Sequence, residues 1–150
     1  MTREWLPQEM PSASVIWLSR LLQRLNDERM RSYGVTSAQL PVLVALKNGE
    51  RRTQKELARI AGVEQPSMAQ LLARMERDDL IRREPSPSDK RSSLIMLTQR
   101  AIDTLEPGRD ALRSVDADAC AGFSDEERKV FLGLLRRMAV NAEAAVSENA

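Results

Sequence analysis

Apolar residues at Val15, Leu18, Leu22 and Leu25 recur at intervals of three and four, and Trp17 and Leu21 widen the stripe. That spacing predicts an amphipathic helix over residues 12–32, capped by Ser12 or Ser14 and ended at Gly34. A second helix is expected over 36–48. Thr36 and Gln39 form a capping box there, Val35 and Leu40 are placed as a hydrophobic staple, and Asn48-Gly49 closes the segment. Pro41, just past the first turn, removes one backbone bond and is expected to bend this helix. A short third helix follows over 53–61, with Thr53 and Glu56 as its capping box and Leu57, Ala58 and Ile60 as its apolar side. Gly62 fits the left-handed position just past its end.

The next run, VEQPSMAQLLARMERDDL, carries two faces. Met68, Leu71, Leu72 and Met75 fall on one side, while Ser67, Gln70, Arg74 and Arg77 fall on the opposite one. Pro66 is placed for the first helical position, with Gln65 or Glu64 as the cap. Two short helices separated only by the Gly62–Glu64 turn read as a helix-turn-helix. Beyond Leu80, the runs IRRE and SLIML read as two strands joined by the loop PSPSDKRS, a hairpin placed as a wing. Thr98 can cap a fifth helix reaching about residue 121, which Pro107-Gly108 should kink or break early. Ser124 and Glu127 give one more capping box. The last helix carries Val130, Phe131, Leu134, Leu135 and Met138 as its stripe. The methionines Met68, Met75 and Met138 lie on apolar stripes, where packing is their ordinary use.

Composition narrows the chemistry. There are no histidines among the 150 residues, which excludes His-based zinc sites and Ser-His or Cys-His nucleophile pairs. No GxGxxG, GxxxxGK[ST] or GxSxG motif occurs, so neither a catalytic residue, a metal site nor a cofactor is expected. No apolar run approaches the ~20 residues needed to span a bilayer, and the N-terminus MTREWLPQEMPS has no apolar core of a secretory signal. The single cysteine, Cys120, cannot form an internal disulfide, which fits a cytoplasmic setting. It has no Lys or Arg in the six preceding residues to activate it, so a structural thiol is the expectation over a redox sensor.

Charge is unevenly spread. The net charge is only +1, yet residues 51–100 hold 11 Lys and Arg against 7 Asp and Glu, a net of +4. The remainder holds 12 against 15, a net of −3. A basic middle between acidic ends is the asymmetry of a chain whose centre faces a polyanion, although a solvated surface can produce it too.

The segment Thr53–Thr98 resembles the winged helix-turn-helix of the MarR family of transcriptional regulators. The likeness is carried by the T-Q-K-E-L-A opening of the third helix, by the pattern from Val63 to Leu80, and by Asp89-Lys90-Arg91 followed by Leu97-Thr98. The run GVEQPS resembles the SlyA-like branch. Asp79 stands where relatives often carry Gly, Gln70 where SlyA-like relatives tend to carry Arg, and Pro41 in place of a bulkier residue. The fold so implied is mainly α with a small β-hairpin: a winged helix-turn-helix DNA-binding lobe over 36–98, and a helical dimerisation lobe from 1–35 and 99–150.

On this reading the fourth helix enters a major groove of double-stranded DNA with its N-terminal half nearest the bases. Gln65, Pro66 and Ser67 stand at that end, where Gln65 and Ser67 suit a phosphate or a base edge. Gln70 can read adenine, Arg74 guanine or a phosphate, and Arg77 lies on the same face. The resemblance makes Arg91 the minor-groove arginine of the wing, Lys90 a backbone contact, and Asp89 an orienting acid paired with a nearby arginine. Arg51, Arg52 and Lys55 either reach phosphates or form a solvated cluster. The leading expectation is a homodimeric, ligand-responsive repressor on a pseudo-palindrome. The resemblance also implies a small aromatic or phenolic effector, to which no residue is assigned. The alternative is a winged-helix protein-interaction adaptor without DNA binding; a small enzyme is remote.

Overall fold

The computed structural model describes residues 9–148. Among them, six α-helices and one antiparallel hairpin follow in order: α1 (Pro11–Met30), α2 (Leu40–Ala45), α3 (Gln54–Ala61), α4 (Gln65–Arg77), β1 (Ile81–Pro85), β2 (Ser93–Leu97), α5 (Gln99–Ala119) and α6 (Asp125–Glu148). The chain divides into two units, one running through Val115 and the other from Asp116 onward. No helix among the described residues is long and apolar enough to cross a membrane.

In the first unit, α1 starts one residue earlier than its periodicity suggests. Met10 is its cap and Pro11 its first turn, and neither Ser12 nor Ser14 serves as cap. The second helix is shorter than its apolar pattern. Ser37–Gln39 is a 3₁₀ turn and α-geometry begins only at Leu40. Pro41 therefore stands at the opening of α2, where its missing N–H costs nothing, and does not bend a longer helix. The Gln39 side chain is buried and accepts the Thr36 amide at 3.0 Å. Val35 is buried with Leu40 packed against the same core, as a staple requires.

α3 and α4 carry the centre of the lobe. Thr53 Oγ1 accepts the Glu56 amide at 3.3 Å, and the Glu56 carboxylate accepts the Thr53 amide at 2.8 Å. Leu57 and Ala58 are buried, but Ile60 is 46% exposed and does not belong to the apolar side. α3 ends in a Schellman motif: Gly62 is left-handed (φ 65°), its amide reaches Arg59 O, and the Val63 amide reaches Ala58 O at 3.1 Å. α4 is capped at Glu64, so Pro66 takes the second helical position. It ends in the same motif, with Asp79 left-handed (φ 56°), its amide on Glu76 O and the Leu80 amide on Met75 O at 2.8 Å. Met68, Leu72 and Met75 are fully buried among Val42, Leu46, Leu57, Leu80 and Ile95.

β1 and β2 pair antiparallel with Ile81 opposite Leu97, Arg83 opposite Ile95 and Pro85 opposite Ser93. Arg52 adds a bridge on the other edge of β2, exchanging both backbone bonds with Ile95 at 3.1 and 2.8 Å. Thr98 Oγ1 accepts the Ala101 amide and donates to Asp79 O at 2.6 Å, joining the start of α5 to the end of α4. Pro107 does not break α5, which runs unbroken across it. Gly108 is buried so close to α1 that a Cβ would lie 2.9 Å from Met30 Cε. Packing at this point holds the helix through the one backbone bond that Pro107 cannot make.

In the second unit, Ser124 and Glu127 form their capping box at 2.8 and 3.1 Å, and Arg128 pairs with Asp116 at 2.9 Å. The Phe123 and Phe131 rings meet edge to face at 6.0 Å. α6 has no fully buried residue. Phe131, Leu135 and Met138 are half-buried, whereas Val130 and Leu134, expected on the same stripe, are exposed.

Candidate nucleic-acid interface

The exposed side of α4 follows from its buried side. Met68, Leu72 and Met75 fix one stripe against the core, so Gln65, Pro66, Ser67, Gln70, Arg74 and Arg77 are all turned to solvent. Ser67, Gln70 and Arg74 line one wall of a shallow depression of about 480 Å³ whose other wall includes Gln23, Ser37 and Pro41. Arg77 leans back on Asp78 at 3.5 Å.

The wing is held by its own backbone. The Ser86 amide donates to Ser92 O at 3.0 Å, and the Ser92 amide to Asp89 O at 3.1 Å. Asp89 Oδ1 accepts the Arg91 amide at 2.9 Å, an Asx turn that fixes the tip. The expected pairing of Asp89 with an arginine side chain is thus replaced by a bond to the Arg91 main chain. The carboxylate lies two residues before the Arg91 amide and satisfies the turn directly. Asp89, Lys90 and Arg91 are all exposed at the tip.

Most arginines of this lobe are committed. Arg51 pairs with Glu84 at 3.2 Å, and Arg52 with Glu50 at 3.2 Å while also donating to Ala45 O. Arg82 and Arg83 pair with Glu84 and Glu76 at 3.7 and 3.2 Å, and Arg100 donates to Asp78 O at 3.1 Å. Arg51 and Arg52 therefore hold the lobe together instead of forming a free basic cluster; Lys55 beside them is exposed. By contrast, the guanidinium groups of Arg59, Arg74 and Arg91 make no hydrogen bond or ion pair among the described residues. A guanidinium left unpaired beside others that are paired is one free to meet an external anion.

Among the described residues, Glu56 is the one acid whose ionisation is clearly perturbed. The Thr53 amide, then the Thr53 hydroxyl, hold its carboxyl below the usual carboxylate range, with Arg52 and Arg59 adding smaller contributions. This makes Glu56 an anchor of α3, set where the helix N-terminus favours negative charge. No group of three or more Cys, Asp or Glu among the described residues is placed to hold a metal.

Sequence reasoning did not find the ties made by Glu76, Glu84 and Arg100. Apart from Arg82, two residues from Glu84, their partners lie 7 to 33 residues away, so only the folded path of the chain around the hairpin brings them together.

Comparison with known proteins agrees with this geometry. The MarR family model matches residues 33–92. The transcriptional regulator HosA of Escherichia coli O111:H- is 33% identical over 104 residues, covering 69% of this chain and 77% of the relative. Among solved structures, the transcriptional repressor CouR bound to a 23-mer DNA duplex superposes with a TM-score of 0.80 at 24% identity, over 88% of this chain and 94% of that one. A mutant MarR from E. coli complexed with operator DNA superposes with a TM-score of 0.81 at 22% identity, over 90% and 99%. The structural likenesses establish the fold, and the shared sequence with HosA, together with the family-model match, makes this chain a member of the MarR family of transcriptional regulators.

Proposed function

We propose that the chain binds duplex DNA as a homodimer on a pseudo-palindromic operator and represses transcription from there, in the cytoplasm. The observation that carries this reading is that two arginines whose guanidinium groups make no hydrogen bond or ion pair among the described residues stand at the two expected reading positions: Arg74 on the exposed face of α4 and Arg91 at the wing tip. Ser67 and Gln70 share the α4 face, where Gln70 suits the N6 and N7 edge of adenine and Arg74 the O6 and N7 edge of guanine. Arg91 suits a narrow A·T-rich minor groove, and Lys90 a phosphate. The activity so assigned is binding and not catalysis.

Dimerisation is supported by uncovered apolar surface outside residues 36–98. Trp17 and Ile16 on α1 are 64% and 55% exposed. On α6, Val130, Leu134 and Val140 are exposed as well. We assign 1–35 and 99–150 to a dimerisation lobe on this ground. An effector of the small aromatic or phenolic acid class fits an apolar cleft of about 290 Å³ in the first unit. Met30, Val35, Leu43, Leu105 and Leu112 line it, with Arg109 at its edge. The finer place in the SlyA-like branch rests on GVEQPS alone.

The test is equilibrium binding to a duplex enriched by the wild-type protein from a random-sequence pool, at two salt concentrations. Wild type should prefer the enriched duplex and weaken steeply with salt. Arg74→Ala should cost about 1–3 kcal/mol and relax preference at one base position. Arg91→Ala should weaken binding and erase the preference for A·T flanks. No enriched sequence, or variants binding like wild type, would refute the proposal.

A further inference from the structure

Arg83 occupies an unusual place for a cation. It pairs with Ile95 in the register, and so lies on the same face of the hairpin as the buried Ile81, Ile95 and Leu97. Its stem continues that apolar face, and its guanidinium ends 3.2 Å from Glu76 Oε2. Glu76 sits on the last turn of α4, flanking the buried stripe on the side away from Ser67 and Arg74. On the opposite face of β1, Glu84 pairs with Arg51 at 3.2 Å. The hairpin is thus gripped on both faces, by α4 on one and by the segment leading into α3 on the other. Beside the apolar packing of Ile81 and Ile95 against Met68, Leu72 and Met75, the Glu76–Arg83 pair is the ion pair among the described residues that ties the wing strand to the helix that carries Arg74.

We infer that Glu76 is a positioning residue, which through Arg83 sets the wing relative to α4 so that Arg91 and Arg74 engage neighbouring grooves together. The inference rests on the DNA-binding reading above. Its physical content is a conflict of signs. Removing an acid from a surface that meets a polyanion strengthens binding if charge alone counts. Removing a strut between two reading elements weakens specific binding, because the core-packed wing then keeps a looser angle to α4 that the complex must narrow as it forms.

The experiment uses the full chain and the duplex enriched by the wild-type protein, with a second duplex in which the A·T flanks are replaced by G·C. Wild type, Glu76→Gln, Arg83→Gln and the exchanged pair Glu76→Arg with Arg83→Glu are compared by fluorescence anisotropy, and thermal melts verify that each is folded. Glu76→Gln should bind the enriched duplex about three- to fivefold more weakly, the scale of a partly exposed ion pair, and lose part of its preference for A·T flanks. The exchanged pair should recover most of both. Glu76→Gln binding as tightly as wild type, or more tightly, overturns the inference while leaving the DNA-binding reading intact. So does an exchanged pair that is no better than the single variants. If wild type enriches no duplex, the underlying reading fails and the inference falls with it.

Discussion

Asp79 closes the Schellman motif of α4 at φ 56°, a conformation in which most L-residues are strained and glycine is not. The same position after α3 is filled by Gly62 at φ 65°. Asp79→Gly removes a strain of about 1–2 kcal/mol. Against this, glycine's greater freedom in the unfolded chain takes back about 0.5–1 kcal/mol. The substitution also removes one of two adjacent acids, Asp78 and Asp79, from the negative end of the helix dipole, a contribution of a few tenths of a kcal/mol in the same direction. The backbone bonds of Asp79 to Glu76 and Thr98 survive in every variant, since they use only main-chain atoms of this residue. The net expectation is stabilisation by about 0.5–1 kcal/mol, or a rise of about 1–4 °C in Tm for a chain of this size. Asp79→Asn separates the contributions, because it keeps the tolerated left-handed backbone and removes only the charge. Asp79→Ala keeps the strain without the polar side chain and should melt below wild type. The assay is thermal unfolding followed by circular dichroism at one fixed protein concentration, since the proposed dimerisation would make Tm depend on it. Asp79→Gly melting at or below wild type, together with an unchanged Asp79→Ala, would refute the reasoning.

Thr53→Ala removes the hydroxyl that accepts the Glu56 amide and should lower stability by about 1 kcal/mol, read as a shift in the urea midpoint. Because the Glu56 carboxyl is held below its ordinary range, its contribution is fully present above the unfolded-state pKa and is lost as pH falls through the lower folded value; Glu56→Gln should flatten that part of an acid titration of stability. Gly108→Ala places a methyl 2.9 Å from Met30 Cε, the movable end of a flexible side chain, while gaining about 1 kcal/mol of helix propensity, so stability should stay within about 1 kcal/mol of wild type and rise when Met30 is shortened at the same time, as a double-mutant cycle would reveal. Leu72→Ala opens a hole beside Met68 and Met75 in the core and should cost about 2–5 kcal/mol in the same denaturant assay.

The elements of the reading lobe were legible because their signals are local. Thr53 and Glu56, Ser124 and Glu127, and Gly62 each act within four residues, and each stands in the structure where the sequence puts it. The methionine and leucine spacing of α4 set its buried side for the same reason. Errors came where tertiary packing overrides a local rule. Pro107 reads as a break but lies in a helix held against Met30, and Ile60 reads as core although α3 turns it outward. Within the candidate interface, exposure of the α4 face and of the wing tip could be inferred, but the commitment of Arg51 and Arg52 could not. Nothing in RRTQKE indicates that Glu84, 33 residues beyond Arg51, will fold back to meet it. Asp89 shows a different failure: the resemblance suggested the side chain of a nearby arginine, and the Arg91 main-chain amide took its place.

The two backbone bonds between Arg52 and Ile95 give the wing a property that a free-standing hairpin lacks. β2 becomes the middle strand of three at Ile95, with β1 on one edge and the chain leading into α3 on the other. The Ile95 amide is bonded to Arg52 O beside a fully buried side chain, so its deuterium uptake should be much slower than that of the tip. The tip at Lys90 has no such anchor and will exchange in local excursions. Along fewer than ten residues the wing thus passes from a tip that exchanges by local excursions to a root anchored in the lobe's core, so that the proposed reading end is free to adapt while its base stays fixed.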